Sequence, residues 1–320
     1  MSKNRTLPRL VMVTPALAAA NNGNWQTARR WAAFLRGHAQ VSLTMQWDGQ
    51  AFDAMIALHA RRSADSLHAF AVSGRPAALI LTGTDLYRDI RSDPLAQRSL
   101  QLATQLVVLQ PEGLHELSAP LQRKTRVIYQ SAPALTRKPA RRRTWDLALV
   151  GHLRDEKDPL TAARALARLG DPDYRLLQIG DAKDASTVAA FAQLAQADAR
   201  IIRLGALPHR RTRQWISRSR LLLLPSLMEG GANVLIEAVT CGVAVLASRI
   251  SGSIGMLGEA YAGFFPVGDD AALAALIQRC RAEPAFLQQL NRHCSQRATL
   301  FDPQLEAAAV RCLVNDLLQR

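Results

Sequence analysis

The sequence predicts an α/β protein with two doubly wound, Rossmann-like domains and a helical tail. Short apolar runs alternate with helical patterns along most of the chain, which is typical of βαβ units with parallel sheets. A length of 320 residues exceeds what one hydrophobic core usually serves, so two domains are expected. Near the middle, prolines and basic residues interrupt the alternation and indicate a linker over 131–144.

The first half of the chain predicts one sheet with its covering helices. The predicted strands are residues 10–13, 41–45, 54–58, 78–81, 106–109 and 127–129. The predicted helices are residues 25–35, 63–71 and 94–103. We expect these elements to form a first domain over residues 1–138.

The second half repeats this pattern. The predicted strands are residues 147–150, 175–179, 201–204, 221–224 and 243–246, with helices between them that include 160–169 and 209–217. Residues 271–319 read as helical throughout. We expect a second domain over 145–300 and a last helix over 301–320 that packs on the first domain. Ligands bind beyond the carboxyl ends of the strands in such sheets, so the cleft between the domains is the expected site.

The charge and the cysteines restrict the kind of partner. A net charge of +14 favours anionic ligands, and phosphorylated small molecules fit it as well as nucleic acid does. No nucleic-acid motif is visible, so no nucleic-acid partner is expected. The four cysteines, Cys241, Cys280, Cys294 and Cys312, lack metal-ligand spacing, so we expect no metal and free thiols in a reducing cytoplasm.

The N-terminus and the apolar runs bear on membrane association. No run has transmembrane length, and no stable membrane association is expected. Lys3, Arg5 and Arg9 before an apolar stretch imitate a secretion signal, but Pro15 interrupts that stretch. We therefore interpret residues 10–13 as the first strand, with a signal peptide as the alternative.

The most informative segment covers residues 221–237. A leucine run ends at a Pro-Ser pair, as a buried strand would. Gly230 and Gly231 then allow backbone N–H groups to approach an anion, and the next helix adds free N–H donors at its start. Glu229 and Glu237 stand on either side of this loop and are strong acceptors for hydroxyl groups. A ligand with a sugar, a diphosphate and a ribose in that order matches these groups.

This segment resembles the donor site of retaining GT-B glycosyltransferases of the GT4 type. The resemblance implies a GT-B fold, whose last helix crosses back to the first domain, and no cofactor. It implies that Glu229 faces the donor sugar and that Glu237 binds the nucleoside ribose. The backbone of four consecutive residues would hold the diphosphate: Gly230, Gly231, Ala232 and Asn233.

Two other loops of the second half resemble donor elements of the same family. Lys157 matches the family lysine that neutralises the diphosphate of the leaving group, a charge that needs cations. His152 stands where the family has arginine, and either a phosphate role or a structural role is open for it. Arg154 is the candidate for the missing charge. The loop that contains Leu207 resembles the one whose backbone faces the nucleobase.

Three segments of the first half carry the candidate acceptor residues. They follow predicted strands and contain Gly23 and Asn24, then His59, Arg61 and Arg62, then Thr82, Thr84, Asp85 and Arg88. With them the chain resembles the selenosugar synthases of selenoneine biosynthesis over nearly its whole length. The resemblance implies a UDP-sugar donor, most simply UDP-N-acetylglucosamine, and selenophosphate as the acceptor.

The candidate acceptor residues suit an anionic nucleophile. Thr82 stands where many relatives have histidine, and a threonine is no base near neutral pH, whereas selenophosphate is already anionic. The arginines offer planar forks for phosphate oxygens, or they are solvated surface side chains. His59 binds the acceptor or caps a strand, and Asp85 orients the sugar or an arginine.

Two rival functions remain open at this stage. The first is a glycosyltransferase that acts on a sugar or lipid hydroxyl. The second is a non-catalytic binder of nucleotide sugars or of nucleic acid, for which the basic stretch 137–143 would serve as the contact surface.

Overall fold

The computed structural model describes residues 7–18, 23–137 and 143–319. The chain divides into two compact units. One contains Met1–Gln130 together with Pro303–Arg320, and the other contains Ser131–Asp302. Most of the basic stretch 137–143 lies outside the described residues.

The first unit is built on a parallel sheet of six strands in the order β2-β1-β3-β4-β5-β6. The strands are β1 Arg9–Val13, β2 Gln40–Thr44, β3 Ala54–Leu58, β4 Ala77–Leu81, β5 Gln105–Val108 and β6 Thr125–Val127. Strands β3, β4 and β5 are buried on both faces, because helices cover both sides of a doubly wound sheet.

Short helices connect these strands. They are α1 Gly23–Phe34, α2 Ala64–Ala71, α3 Ile90–Ser92, α4 Pro94–Leu102 and α5 Ala119–Gln122, with a π-helix at Asp85–Asp89 and a 3-10 helix at Pro111–Glu116. The Asp93 side chain caps α4 by accepting the Ala96 N–H at 3.0 Å. A π-helix is rare and frequently marks a functional position, and this one follows β4.

The second unit is built on another parallel sheet of six strands, in the order β12-β11-β10-β7-β8-β9. The strands are β7 Trp145–Val150, β8 Tyr174–Ile179, β9 Ile201–Gly205, β10 Leu221–Leu224, β11 Ala244–Ser248 and β12 Phe264–Phe265. The helices are α6 Pro159–Ala167, α7 Ala185–Ala197, α8 His209–Arg218, α9 Asn233–Thr240, α10 Ser251–Leu257, α11 Asp270–Ala282 and α12 Pro284–Arg297, and 3-10 helices cover Asp155–Lys157 and Ala298–Phe301.

The last helix, α13 Pro303–Leu318, belongs to the first unit and packs against α1. Buried Glu306 anchors it, because its carboxylate accepts the Trp31 Nε1–H at 2.7 Å and the Arg30 Nε–H at 2.8 Å. Among the described residues, no helix is long and apolar enough to span a bilayer.

The predicted fold class is confirmed, and most strands agree within two residues. The strand predicted over 127–129 lies two residues earlier, as β6 Thr125–Val127, and the Ile128 N–H continues its ladder to the Val108 carbonyl. The two-residue β12 and the π-helix were not predicted, since neither has a distinct hydrophobic period.

Part of the basic excess has a structural use. Side chains of Lys124, Arg200 and Arg297 donate to carbonyl groups at the ends of α4, α6 and α10 respectively. A helix C-terminus carries unpaired carbonyls and partial negative charge, so a cation there is stabilising. The charge of +14 therefore does not belong to ligand binding alone.

Candidate active site

Two loops of the second unit meet at the point where its strand order reverses. Strands β7 and β10 are neighbours in the sheet, although β8 and β9 lie between them in sequence. Open α/β sheets bind ligands beyond the strand ends at such a switch point. The β7–α6 loop carries His152, Arg154 and Lys157, and the β10–α9 loop carries Glu229.

The two loops are joined by a side-chain pair and by a backbone bond. Lys157 Nζ forms an ion pair with Glu229 Oε1, and the Leu227 N–H donates to the Glu156 carbonyl at 2.9 Å. Glu229 is nearly buried, with 8% of its surface exposed. A small pocket in this unit is lined by Gly151, Lys157 and Ser226, among other residues.

The residue after Lys157 fixes where the turn that carries Lys157 ends and where α6 begins. The next residue, Asp158, adopts a left-handed conformation with φ of 40° and caps α6 by accepting the Thr161 N–H at 3.3 Å. Aspartate tolerates this conformation better than most residues because its short side chain bonds locally. Asp158 thereby ends the Asp155–Lys157 turn and starts α6 at a fixed place.

A hydrogen bond from Ser226 and close packing of Gly252 fix the position of Glu229. Ser226 Oγ donates to Glu229 Oε1 at 2.7 Å, and buried Ser248 Oγ donates to the Ser226 carbonyl. Gly252 in α10 packs so closely that a Cβ there would lie 1.9 Å from the Glu229 carbonyl oxygen. Ser248 and Gly252 are not recognisable from sequence, because they reach Glu229 from another strand and another helix.

The loop that contains Gly230 and Gly231 leads into α9, whose N-cap residue has no polar side chain. Gly230 is buried, Gly231 is half-buried, and neither has a positive φ. Ala232 is the N-cap of α9 and has no polar side chain, and Asn233 is the first helical residue. The first-turn N–H groups therefore lack a side-chain acceptor, which is how helix starts bind phosphate.

Glu237 lies one turn into α9 and faces another helix. The Nε2 atom of His209, the first residue of α8, lies 2.6 Å from Glu237 Oε1. Leu207 is half-buried in the loop that connects β9 to α8, two residues before His209. Sequence reasoning missed His209, although it follows the predicted nucleobase loop directly.

His152 and Arg154 lie in the β7–α6 loop but have partners of their own. His152 Nδ1 accepts the Asp181 N–H at 3.1 Å, so in the neutral ring the proton is on Nε2. Burial lowers the pKa of His152, and the neighbouring Lys183 acts in the same direction. Arg154 Nε lies 3.9 Å from Glu156 Oε2. The loop therefore offers one neutral N–H donor and one partly compensated cation near Lys157.

The first unit has its own switch point, between β1 and β3. Gly23 and Asn24 are the first two residues of α1, which follows β1, and the Gly23 carbonyl accepts the Thr27 hydroxyl at 2.9 Å. His59, Arg61 and the residues between them directly follow β3. The third predicted segment follows β4, the next strand in the sheet.

Asp85 joins two of these loops. It is fully buried, and its Oδ1 accepts the N–H groups of Thr82 at 2.9 Å and Gly83 at 2.8 Å. Its Oδ2 accepts the Ala60 N–H at 2.9 Å, across from the neighbouring loop. Thr82 Oγ1 also donates to Asp85, at 3.3 Å. The geometry thus gives Asp85 a role in fixing the loops, with its oxygens already occupied.

His59 is buried and strained. Its φ is 75°, which is uncommon for a residue other than glycine, and 2% of its surface is exposed. Its Nδ1 accepts the Arg62 N–H at 3.3 Å, so the neutral ring donates from Nε2 to Thr84 Oγ1 at 3.1 Å. Burial is the largest cause that lowers the pKa of His59, against the carboxylate of Asp85. A buried neutral imidazole of this kind orients Thr84.

The candidate arginines differ in their partners. Arg61 Nε lies 3.1 Å from Asp93 and Arg88 Nε lies 3.2 Å from Asp89. Arg62 is exposed, and no carboxylate lies within salt-bridge distance of it among the described residues. Arg62 is therefore the cation of this group that is available to an anion.

Comparison with solved structures shows which fold this is. The structure is similar to sucrose-phosphate synthase from Thermosynechococcus elongatus, with a TM-score of 0.79, 16% identity, and coverage of 98% of this chain and 99% of that chain. It is similar to Anabaena HepE in complex with UDP and glucose, with a TM-score of 0.76, 14% identity and coverage of 98% and 99%.

The pneumococcal O-GlcNAc transferase GtfA, in complex with UDP and GlcNAc, has a TM-score of 0.68 and 15% identity, with coverage of 83% of this chain and 57% of that chain. At these identities the likeness shows the fold alone, which is GT-B. A comparison with curated proteins finds no match.

The family follows from a sequence comparison. The model of glycosyl transferases group 1 matches residues 136–300, which is more than half of the 320 residues. The matched range contains both loops of the switch point, with Lys157, Glu229 and Glu237. The chain therefore belongs to the group 1 glycosyl transferases.

Proposed function

We propose that this glycosyltransferase transfers a sugar from a UDP-sugar to selenophosphate. The specific donor that we propose is UDP-N-acetylglucosamine. The observation that carries the donor assignment is the Lys157–Glu229 pair beside the uncapped start of α9. Solved structures of similar fold contain UDP with glucose or with GlcNAc.

In this proposal each donor residue has one task. Lys157 neutralises the negative charge that develops on the leaving diphosphate, and Arg154 and the Nε2–H of His152 add donors beside it. The N–H groups at Gly230, Gly231 and the start of α9 bind phosphate oxygens. Glu229 accepts from the sugar hydroxyls and Glu237 from the ribose.

The acceptor assignment is supported by the loops of the first unit. Arg62 offers a cation without a carboxylate partner among the described residues, and Thr84 offers a hydroxyl that His59 orients. His59 is a poor candidate for a general base, because it is buried and its Nδ1 already accepts the Arg62 N–H. An acceptor that is already anionic, such as selenophosphate, needs no such base.

The reaction balances without a further oxidant or reductant. The selenium lone pair forms a bond to the anomeric carbon while the carbon–oxygen bond to UDP breaks, and UDP leaves with that electron pair. One water then hydrolyses the selenium–phosphorus bond, which gives phosphate and the selenosugar. We propose the cytoplasm as the compartment, since the thiols of Cys241, Cys280, Cys294 and Cys312 are free.

The test is incubation of the protein with selenophosphate and a panel of UDP-sugars, with products read by mass. We expect a selenium-containing sugar and UDP from UDP-N-acetylglucosamine, and none with Glu229→Gln. Phosphate in place of selenophosphate is the matched acceptor control. Transfer to a sugar or lipid hydroxyl, with selenophosphate inert, would overturn the acceptor assignment and leave the donor assignment standing.

A further inference from the structure

We infer that His209 is a positioning residue that fixes the Glu237 carboxylate for the donor ribose. This inference rests on the proposed role of Glu237 in binding the nucleotide. It adds a residue outside the segment 221–237, and it connects the β9–α8 loop, residues 206–208, to ribose binding.

The hydrogen bond between the two side chains has a defined direction. His209 Nε2 lies 2.6 Å from Glu237 Oε1. An ionised carboxylate only accepts hydrogen bonds, so Nε2 carries the proton in either charge state of the ring. The side chain of Glu237 is 10% exposed and that of His209 is 44% exposed. The imidazole therefore covers one oxygen of a carboxylate that is otherwise close to burial.

This bond leaves room for the ribose. A carboxylate has about four lone-pair sites, and His209 occupies one of them on Oε1. The other sites remain for hydroxyl groups of the ligand. Because the side chain is already fixed, ribose binding does not have to order it, which lowers the entropic cost of binding.

Arg213, which lies on the same face of α8 as His209, is occupied elsewhere. Arg213 lies one helical turn after His209, and its guanidinium donates to the Pro133 carbonyl at 2.5 Å. His209 is thus the group of α8 that holds Glu237. His209 is also the first residue after the β9–α8 loop. A change in the conformation of that loop should therefore alter the affinity for the ribose.

Calorimetric titration with two ligands tests this inference. The ligands are UDP and its dideoxy analogue, which lacks both ribose hydroxyls and so has nothing to offer Glu237. We expect His209→Ala to raise the Kd for UDP about fivefold or more, because the Glu237 carboxylate is no longer fixed, and to change the Kd for the analogue by less than about twofold. His209→Gln retains an N–H donor at a similar reach, so we expect UDP affinity within about twofold of the wild type.

Arg210→Ala is the matched control, because this neighbouring exposed side chain carries charge on the same turn. It should leave the preference for UDP over the analogue unchanged. Equal UDP affinity in the wild type and His209→Ala, tighter binding by the variant, or equal weakening of both ligands would overturn the inference. Failure of the wild type itself to bind UDP would overturn the donor assignment, and this inference with it.

Discussion

Lys157 and Glu229 neutralise each other in the candidate active site. The Lys157 ammonium contacts Glu229 Oε1, and Ser226 donates to the same oxygen at 2.7 Å. In the proposed function, one of these groups binds the diphosphate and the other binds the sugar. The donor must therefore divide the pair, with phosphate oxygens replacing the carboxylate and sugar hydroxyls replacing the ammonium.

This relationship predicts opposite effects for the two residues. Glu229→Gln removes the charge that competes for Lys157, so UDP affinity should be retained or improved while turnover falls at least about a hundredfold. Lys157→Met should weaken UDP binding. Titration with UDP measures the affinity, and the rate at which UDP is formed from the UDP-sugar measures turnover. A large loss of UDP affinity in Glu229→Gln would contradict the assignment.

Glu237 should contribute to nucleotide binding and little to the chemistry. Glu237→Ala leaves ribose hydroxyls without their acceptor, which should cost about 1–3 kcal/mol of UDP binding. Glu259→Ala removes an exposed carboxylate of the same unit and should have no effect. Unchanged UDP affinity in Glu237→Ala would show that the ribose lies elsewhere.

Arg62 should matter more for the acceptor than its neighbours do. A charge-assisted contact is typically worth about 1.5–3 kcal/mol, so Arg62→Ala should raise the acceptor KM at least about tenfold. Arg61→Ala and Arg88→Ala serve as controls, because Asp93 and Asp89 already pair with these side chains. Initial rates at varied selenophosphate measure this, and the same KM in all three variants as in the wild type would refute the anion site.

Burial of His59 should make stability depend on pH. Its pKa is lowered from the ordinary value of 6.5, so below that value the unfolded chain binds a proton that the folded chain does not. The free energy of unfolding should therefore decrease as the pH falls below about 6.5. His152 has a pKa lowered in the same direction, so the contribution of His59 is read by comparison with a variant.

His59→Asn is the suitable comparison, since asparagine tolerates a positive φ and its Oδ1 can accept the Arg62 N–H. Urea unfolding at about pH 7.5 and pH 5.5 should show a smaller change for the variant than for the wild type. If His59 were the general base, His59→Asn would lose activity about a hundredfold or more, and we expect a smaller loss.

Glu306 should stabilise the attachment of the last helix. Glu306→Ala leaves Arg30 and the Trp31 indole N–H without their acceptor, which should cost about 3–5 kcal/mol of stability in the first unit. Glu306→Gln keeps an acceptor and should cost less. The two variants are compared by urea unfolding followed by tryptophan fluorescence, and equal stability of Glu306→Ala and the wild type would contradict this role.

Much of the fold is readable from sequence because strand and helix patterns are local. The leucine run of β10 was predicted at its observed bounds, and a helix was predicted directly after Gly230 and Gly231, where α9 follows. The π-helix at Asp85–Asp89 was not, because it has no distinct hydrophobic period, and the bond from the Ala60 N–H to Asp85 comes from another loop. The positive φ of His59 has no signal in the residue type itself.

The candidate site, like the fold, is predictable from the sequence only in part. The positions of Lys157 and Glu229 follow from a motif, and their roles as donor residues stay predictions. Their ion pair joins residues far apart in sequence, and so does the bond from His209 to Glu237. Such contacts depend on the strand order, in which β7 lies beside β10, and no single segment specifies that order.

The central claim is that this chain forms a bond between selenium and the anomeric carbon of a sugar. Selenium NMR of the product, made from UDP-N-acetylglucosamine enriched at its anomeric carbon with the heavy stable carbon isotope, tests it most directly. We predict a selenium signal that is split by one-bond coupling to that carbon and absent from a reaction with Glu229→Gln. A product whose labelled carbon is bonded to oxygen, with the selenium signal unsplit, would contradict the claim.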